Sequence, residues 1–193
     1  MTALDTVSVL LAVVGIVYTA FIITIRQGLG KLHPGTNDVL HTFSILIAAR
    51  NEEQNIERCL RSLFAQSYPA DRFSIIVIDD QSDDRTAEIV RAVSAESPVP
   101  CRLISSDPSS PIRSPKVRAL SQAIVLTDSD IIITTDADCT APPDWIRSIN
   151  SFFEAGVGLV AGLTVYAPSP SLNRFFWGIQ HLDFLSYSAV GAG

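Results

Sequence analysis

Three short polar clusters hold most of the chemistry this sequence could do. Ala49-Arg50-Asn51-Glu52 directly follows the apolar run SILIA at 44–48. Asp79-Asp80, with Ser82, Asp83 and Asp84 just beyond, follows SIIVI at 74–78. Asp136-Ala137-Asp138 follows the run that begins at Asp130. Side chains alternate along an extended chain, so Asp136 and Asp138 are expected to point the same way. Two carboxylates on one side repel unless a cation or a ligand donor separates them. A hard divalent cation such as Mg2+ or Mn2+ takes one or two protein carboxylates and fills its shell with substrate phosphates. That chemistry places Asp138 on a metal and Asp136 on a ligand hydroxyl. Asp80 lies close to its strand and can accept from a base or sugar donor, whereas Asp83 and Asp84 suit the N-terminus of the next helix. An EF-hand calcium loop is excluded, because neither Asp79 nor Asp80 has glycine at its sixth position or glutamate at its twelfth.

Asp-x-Asp alone is weak evidence, and the chain repeats it at Asp128 and Asp130, just before a strand and so at the opposite edge. Lys116 opens a helix after a Ser/Pro-rich loop at 105–115. It either reaches a phosphate, helped by the helix N-terminus, or is a surface lysine. Arg50 either flanks a nucleobase or phosphate, or pairs with Glu53. His33, His41 and His181 are isolated, without metal-ligand spacing. The cysteines are three, Cys59, Cys101 and Cys139, with no C-x-x-C pair, so no disulfide framework or zinc site is expected. A reducing compartment fits the main domain.

The elements that must position these groups alternate. The run 44–48 and the run 74–78 read as buried strands. Between them Ile56, Cys59, Leu60, Leu63 and Phe64 recur at helical spacing, with Asn51 and Gln54 resembling a capping box. A helix at 86–93 presents Ile89, Val90 and Val93, and 101–104 is a third strand. Ser114 and Pro115 mark the start of a helix running to 124, with Val117, Leu120 and Ile124 inward. A fourth strand at 130–135, a helix at 142–153 with Trp145, Ile146, Ile149 and Phe153 as its apolar residues, and a fifth strand at 157–165 follow. Strands alternating with helices imply a Rossmann-like α/β fold with an open, mostly parallel sheet and helices on both faces. Ligands of such sheets bind outside the carboxyl ends of the strands, where all three polar clusters fall.

The N-terminal segment differs. Residues 7–25, VSVLLAVVGIVYTAFIITI, carry no charge, and about 20 residues of helix span a bilayer core. Asp5 precedes this run while Arg26 and Lys31 follow it, so the positive-inside rule puts Met1 outside and the rest in the cytoplasm. A cleaved signal peptide would want basic residues before the run. The chain is 47% apolar with a net charge of −6, which excludes intrinsic disorder and argues against a nucleic-acid partner.

Three segments, SILIAARNEEQNIERCLRSLFAQSYP, IIVIDDQSDDRTAEI and IIITTDADCTAPPDWI, resemble family 2 glycosyltransferases, inverting enzymes with a GT-A nucleotide-sugar domain. The resemblance runs from Phe43 to Gly193. It implies that Ala48 and Arg50 line a nucleobase pocket and that Asp80 accepts from the uracil N3–H. Lys116 matches the family's lysine after the third strand. Asp136 would approach the ribose and Asp138 a divalent metal. The implied division is a transmembrane anchor at 1–27, a linker at 28–42, a nucleotide-sugar-binding domain at 43–168 and an amphipathic start of an acceptor-side region at 169–193. The implied partners are a nucleotide-sugar donor, probed best as UDP, a membrane, and an acceptor of lipid or polysaccharide chemistry.

Two features depart from the family. Its catalytic base, an Asp often within a Glu-Asp pair, and its Gln-x-x-Arg-Trp element are not found, and Asp183 does not match the base's context. The stretch 174–187 is aromatic and amphipathic, and Gly191-Ala192-Gly193 looks like a glycine-rich acceptor-side loop cut short. The expectation is therefore an incomplete enzyme that binds donor and transfers poorly alone. A non-catalytic, membrane-anchored binding module is the first alternative. A haloacid-dehalogenase-type phosphohydrolase, with Asp136 as nucleophile in D-x-D-x-T, is the second, though its motif order is reversed here.

Overall fold

A computed structural model of the 193-residue chain describes residues 3–29, 34–162 and 164–165. These fall into two compact units, one containing the N-terminal helix and the other running Gly35–Val157.

The N-terminal helix, α1 (Ala3–Leu29), is 27 residues long, about 40 Å at the usual helical rise. Within it, Asp5–Thr24 has a mean hydropathy of 2.5 and is the one candidate membrane span among the described residues. Two of its hydroxyls bond inside the helix: Thr19 Oγ1 donates to the Gly15 carbonyl at 2.8 Å and Thr24 Oγ1 to that of Ala20 at 2.9 Å. A helix in lipid must satisfy its polar groups this way.

The larger unit is a sheet of four parallel strands, β1 (Phe43–Ala49), β2 (Phe73–Asp79), β3 (Cys101–Ser105) and β4 (Ile131–Asp136). Their order is β3-β2-β1-β4. Helices α2 (Ile56–Phe64), α3 (Thr86–Ser94), α4 (Pro115–Ile124) and α5 (Trp145–Ser151) connect or follow the strands. β1 and β2 read as unbroken apolar runs because both of their faces are covered. On one face Ile45, Ile47, Ile75, Val77 and Ile133 pack with Ile56, Leu60 and Leu63 of α2, Val90 and Val93 of α3, and Ile146 of α5. On the other Leu46, Ile76 and Ile78 pack with Ala119 and Ala123 of α4. Each fully buried Ile or Leu contributes roughly 1.5–3 kcal/mol of transfer free energy.

Four local expectations change. In α4 the inward residues are Ala119 and Ala123, with Leu120 at the margin, while Val117 and Ile124 are exposed. The two alanines, four apart, let the helix lie close against the sheet. Asn51 caps nothing: its φ is +57° and α2 begins after Asn55. Residues 157–162 and 164–165 form no strand; Gly158 and Gly162 weaken that run as a strand, and Leu159 is exposed. The helix expected over 142–153 is shorter, because Pro142 and Pro143 lie in the turn before Trp145.

Residues 35–42 of the expected linker are held by α5, by the turn after it and by Tyr68. The Asn37 N–H donates to the Ser151 carbonyl at 2.9 Å, and Thr36 donates twice to Glu154 Oε1. Tyr68 Oη donates to the His41 carbonyl at 2.8 Å. Gly35 passes so close to α5 that a Cβ there would lie 2.2 Å from the Ser151 carbonyl. The segments 166–193, including 174–187, His181 and Asp183, lie outside the described residues, as does His33.

Candidate functional site

The strand order reverses at β1. The chain builds β1, β2 and β3 outward in one direction, and β4 then returns to β1's other side. In open α/β sheets the crevice at such a reversal, beyond the carboxyl ends, is where ligands bind.

Register and the period of two decide which side chains meet there. Leu46 and Ala48 of β1, and Ile76 and Ile78 of β2, face α4. Arg50 and Asp80 continue those two series by one step of two. Ala48 pairs with Asp136 across β1 and β4, and with Ile78 across β1 and β2, so Asp136 has the same parity. Ala48, Arg50, Asp80 and Asp136 thus share the α4 side of one sheet edge. Strand spacing puts the ends of β2 and β4 about 10 Å apart, on either side of β1.

The first turn of α4 supplies cations to both flanking ends. Lys116 Nζ pairs with Asp136 Oδ1. Arg118 Nη2 donates to Asp80 Oδ1 at 2.7 Å, and Ser106 Oγ donates to the same oxygen. Arg50 Nη1 stands 3.9 Å from Asp80 Oδ2. Asp80 is 3% exposed, and its Oδ2 is buried with no hydrogen-bond partner. Burial would raise the Asp80 pKa, but hydrogen bonds from Ser106 and Arg118, with the charges of Arg118 and Arg50, outweigh it and hold the carboxyl below its ordinary value.

The remaining acidic residues of these clusters have structural work. Asp79 has the opposite parity and accepts the Ser82 N–H at 3.2 Å. Asp84 accepts from Thr86 and from the Glu53 N–H, and Asn51 joins the two loops through the Asp83 N–H and Ser82 Oγ. Glu53 accepts the Arg85 N–H, leaving Arg50 to Asp80. Asp130, in the second Asp-x-Asp, accepts from the Thr42 N–H and hydroxyl, both at 2.8 Å.

Asp136-Ala137-Asp138 is not extended throughout. The strand stops at Asp136 and the chain turns, with the Cys139 N–H donating to the Asp136 carbonyl at 3.2 Å. Ala137 is buried, while Asp136 and Asp138 are exposed on either side of it. Helix α2 holds this turn: Arg58 donates to the Asp138 carbonyl at 3.1 Å, and Cys59 Sγ lies 3.7 Å from the Asp136 carbonyl. Among the described residues no three His, Cys, Asp or Glu side chains group closely enough to hold a metal by themselves. The donor set is a single exposed, hard carboxylate on Asp138 beside a carboxylate–lysine pair. It fits a divalent cation that draws most of its shell from phosphates, and does not fit an all-protein cage.

Arg118 and Ser106 were not among the residues singled out by pattern. Ser106 carries no signal. Arg118 does: Lys116 and Arg118 both sit in a first helical turn, where the helix dipole disfavours cations, and no acidic residue accompanies them there. Such a turn calls for an anion from outside the helix, a carboxylate of the fold or a bound phosphate.

A parallel sheet with helices on both faces and carboxylates gathered at its reversal point defines an open α/β domain with a candidate ligand crevice, and the solved structures give its type. Over 77% of this chain and 44% of the other, the fold superimposes with a TM-score of 0.63 and 21% identity on a mannosyltransferase of Pyrobaculum calidifontis solved with GDP-mannose and Mn2+. The fold is therefore GT-A. Residues 44–188 match the model of glycosyl transferase family 2, and the chain belongs to that family. Relatives include the glycosyltransferase AglE of Haloferax volcanii, 29% identical over 62% of this chain and 38% of its own length. Another is a beta-monoglucosyldiacylglycerol synthase of Synechocystis, 30% identical over 56% and 22%. The chain thus spans well under half the length of these relatives.

Proposed function

We propose that this chain carries the donor-binding half of a glycosyltransferase that takes a sugar from a nucleoside diphosphate, UDP above others, and delivers it with inversion to an acceptor of lipid or polysaccharide chemistry. The observation that carries this reading is the gathering of Asp80, Asp136 and the first turn of α4 at the reversal point of the sheet. Asp80 Oδ2 accepts the base N–H. Ala48 has a small side chain and leaves room for the base, and Arg50 flanks it. Lys116 turns to the diphosphate, which frees Asp136 for the ribose hydroxyls. Asp138 would hold a divalent cation together with the diphosphate, and such an ion, when bound, would supply Lewis-acid stabilisation of the leaving nucleoside diphosphate. Lys116, turned to the diphosphate, would add to that stabilisation. None of these residues is assigned to deprotonate the acceptor.

The anchor reading rests on α1 and on Arg26 and Lys31 behind it; by the positive-inside rule these two cations support a cytoplasmic larger unit. A membrane anchor suits a lipid acceptor, such as the diacylglycerol in the name of the Synechocystis relative.

Calorimetry of the full chain in detergent micelles with UDP and Mn2+ tests the donor half. Wild type should give a binding isotherm, and Asp138→Ala should lose the Mn2+-dependent part of it. No heat from wild type, or an unchanged isotherm for the variant, defeats the assignment. Binding without transfer from a radiolabelled sugar nucleotide would instead favour a non-catalytic binding module.

A further inference from the structure

Among the ion pairs of the described residues, Arg118–Asp80 is the most buried, with side chains 13% and 4% exposed. Both hydrogen bonds that Asp80 receives fall on the same oxygen: Arg118 Nη2 and Ser106 Oγ each donate to Oδ1. Oδ2 is buried and receives none, and the Arg50 guanidinium at 3.9 Å is beyond hydrogen-bond reach. An ionised oxygen in that state is costly to the free protein and is relieved only by a donor that arrives from outside. Arg118 occupies a helical turn whose dipole disfavours it, so its position is stabilised by Asp80 and not by α4.

We propose that Arg118 is a positioning residue for donor recognition: together with Ser106 it engages Oδ1 of Asp80, so that Oδ2 alone is presented to the ring N–H of a nucleobase. This rests on the reading of Asp80 as the base acceptor. Recognition through one oxygen selects a base with a ring N–H, as uracil has, and rejects the same base methylated at that nitrogen. The charge of Arg118 also keeps Asp80 an acceptor. The groups facing that carboxylate are Arg50 from the loop after β1, Ser106 from the loop after β3 and Arg118 from α4; Asp79, its neighbour in the chain, turns instead to the Ser82 N–H.

The test is calorimetry of the full chain in detergent micelles, with Mn2+ and with UDP or N3-methyluridine diphosphate, over a range of pH. Wild type should prefer UDP. Arg118→Ala should bind UDP about 10- to 100-fold more weakly, the loss expected for a hydrogen bond to a charged group. It should also lose the preference over the methylated base, and its affinity should fall away at a higher pH than in wild type. Arg118→Lys retains the charge and should restore the pH midpoint. On an Asp80→Asn background, Arg118→Ala should change UDP affinity by no more than about two-fold, because a residue acting through Asp80 has nothing left to position. This last comparison leaves no unpaired buried carboxylate, so it stands even if Arg118→Ala alone does not fold. A full Arg118→Ala effect persisting without the Asp80 carboxylate overturns the proposal, as does an unaltered pH midpoint in Arg118→Ala or an unrestored one in Arg118→Lys. Wild type that binds no UDP overturns the donor-site reading itself.

Discussion

Asp80 is ionised in a buried place because two donors and two guanidinium groups surround it. Asp84 and Asp130 are also held below the ordinary carboxylate value: the Thr86 and Glu53 bonds outweigh partial desolvation at Asp84, and the Thr42 bonds lead at Asp130. A carboxyl whose pKa is lower folded than unfolded stabilises the fold above the unfolded value, and that contribution is lost as pH falls through the folded value. The melting temperature should therefore hold near neutrality and drop below about pH 4, the unfolded carboxylate range. Asp80→Asn, which cannot titrate, should show a smaller acid-side drop; an identical profile would separate Asp80 from acid stability. Cys59 behaves oppositely. Burial first, then the nearby Cys139 and Asp138, push its thiol up to about 12, so it is a neutral packing group at physiological pH. Maleimide labelling read by mass spectrometry should modify Cys59 only after unfolding, and rapid native labelling would contradict its place in the core.

Helix α4 links the core to the site. Its first turn holds the ends of β2 and β4 through Arg118 and Lys116, while Ala119 and Ala123, both 0% exposed, seat it on the sheet. Ala119→Leu forces extra volume under the first turn. It should cost about 1–3 kcal/mol of stability in urea denaturation and weaken UDP binding as well, because Arg118 and Lys116 are lifted with the helix. Stability lost with UDP affinity unchanged would show that the turn is not rigidly coupled to the seat. The orientation of α4 was not legible from residue size, since Val117 and Ile124 are the larger apolar groups and point outward. β1, β2 and α2 were legible: the two strands are short unbroken apolar runs rich in isoleucine, and α2 repeats its apolar residues at helical spacing. At α5, Gly35→Ala should release the 35–42 strap, because the added methyl meets the Ser151 carbonyl, a backbone group that cannot rotate away. Faster proteolysis within 34–42 would report it.

The two compact units differ in what covers their apolar surface. The unit Gly35–Val157 encloses its own core between a sheet and helices on both faces. α1 exposes Val9, Leu10, Leu11, Ile16 and Val17, each more than half accessible, an apolar surface that lipid would cover. The full chain should float with phospholipid vesicles, and a chain beginning at Gly35 should stay in the soluble fraction. Flotation of both, or of neither, would remove α1 as the anchor.

Hydrophobic patterning settled the α/β class, the strand–helix alternation and the placing of the acidic clusters at strand ends, because a strand buried on both faces is a short continuous apolar run while a helix repeats its apolar face every 3.6 residues. The uncharged stretch within α1 was equally plain. The partnerships were decided only in three dimensions. Asp80 and Asp79 are adjacent and chemically identical, yet one enters the site and the other closes a turn, because parity sends them to opposite faces of β2. Arg118 meets a carboxylate 38 residues away because β4 returns to the far side of β1 and α4 crosses over the sheet. Pairing of that kind depends on strand order, and no local pattern of residues encodes it.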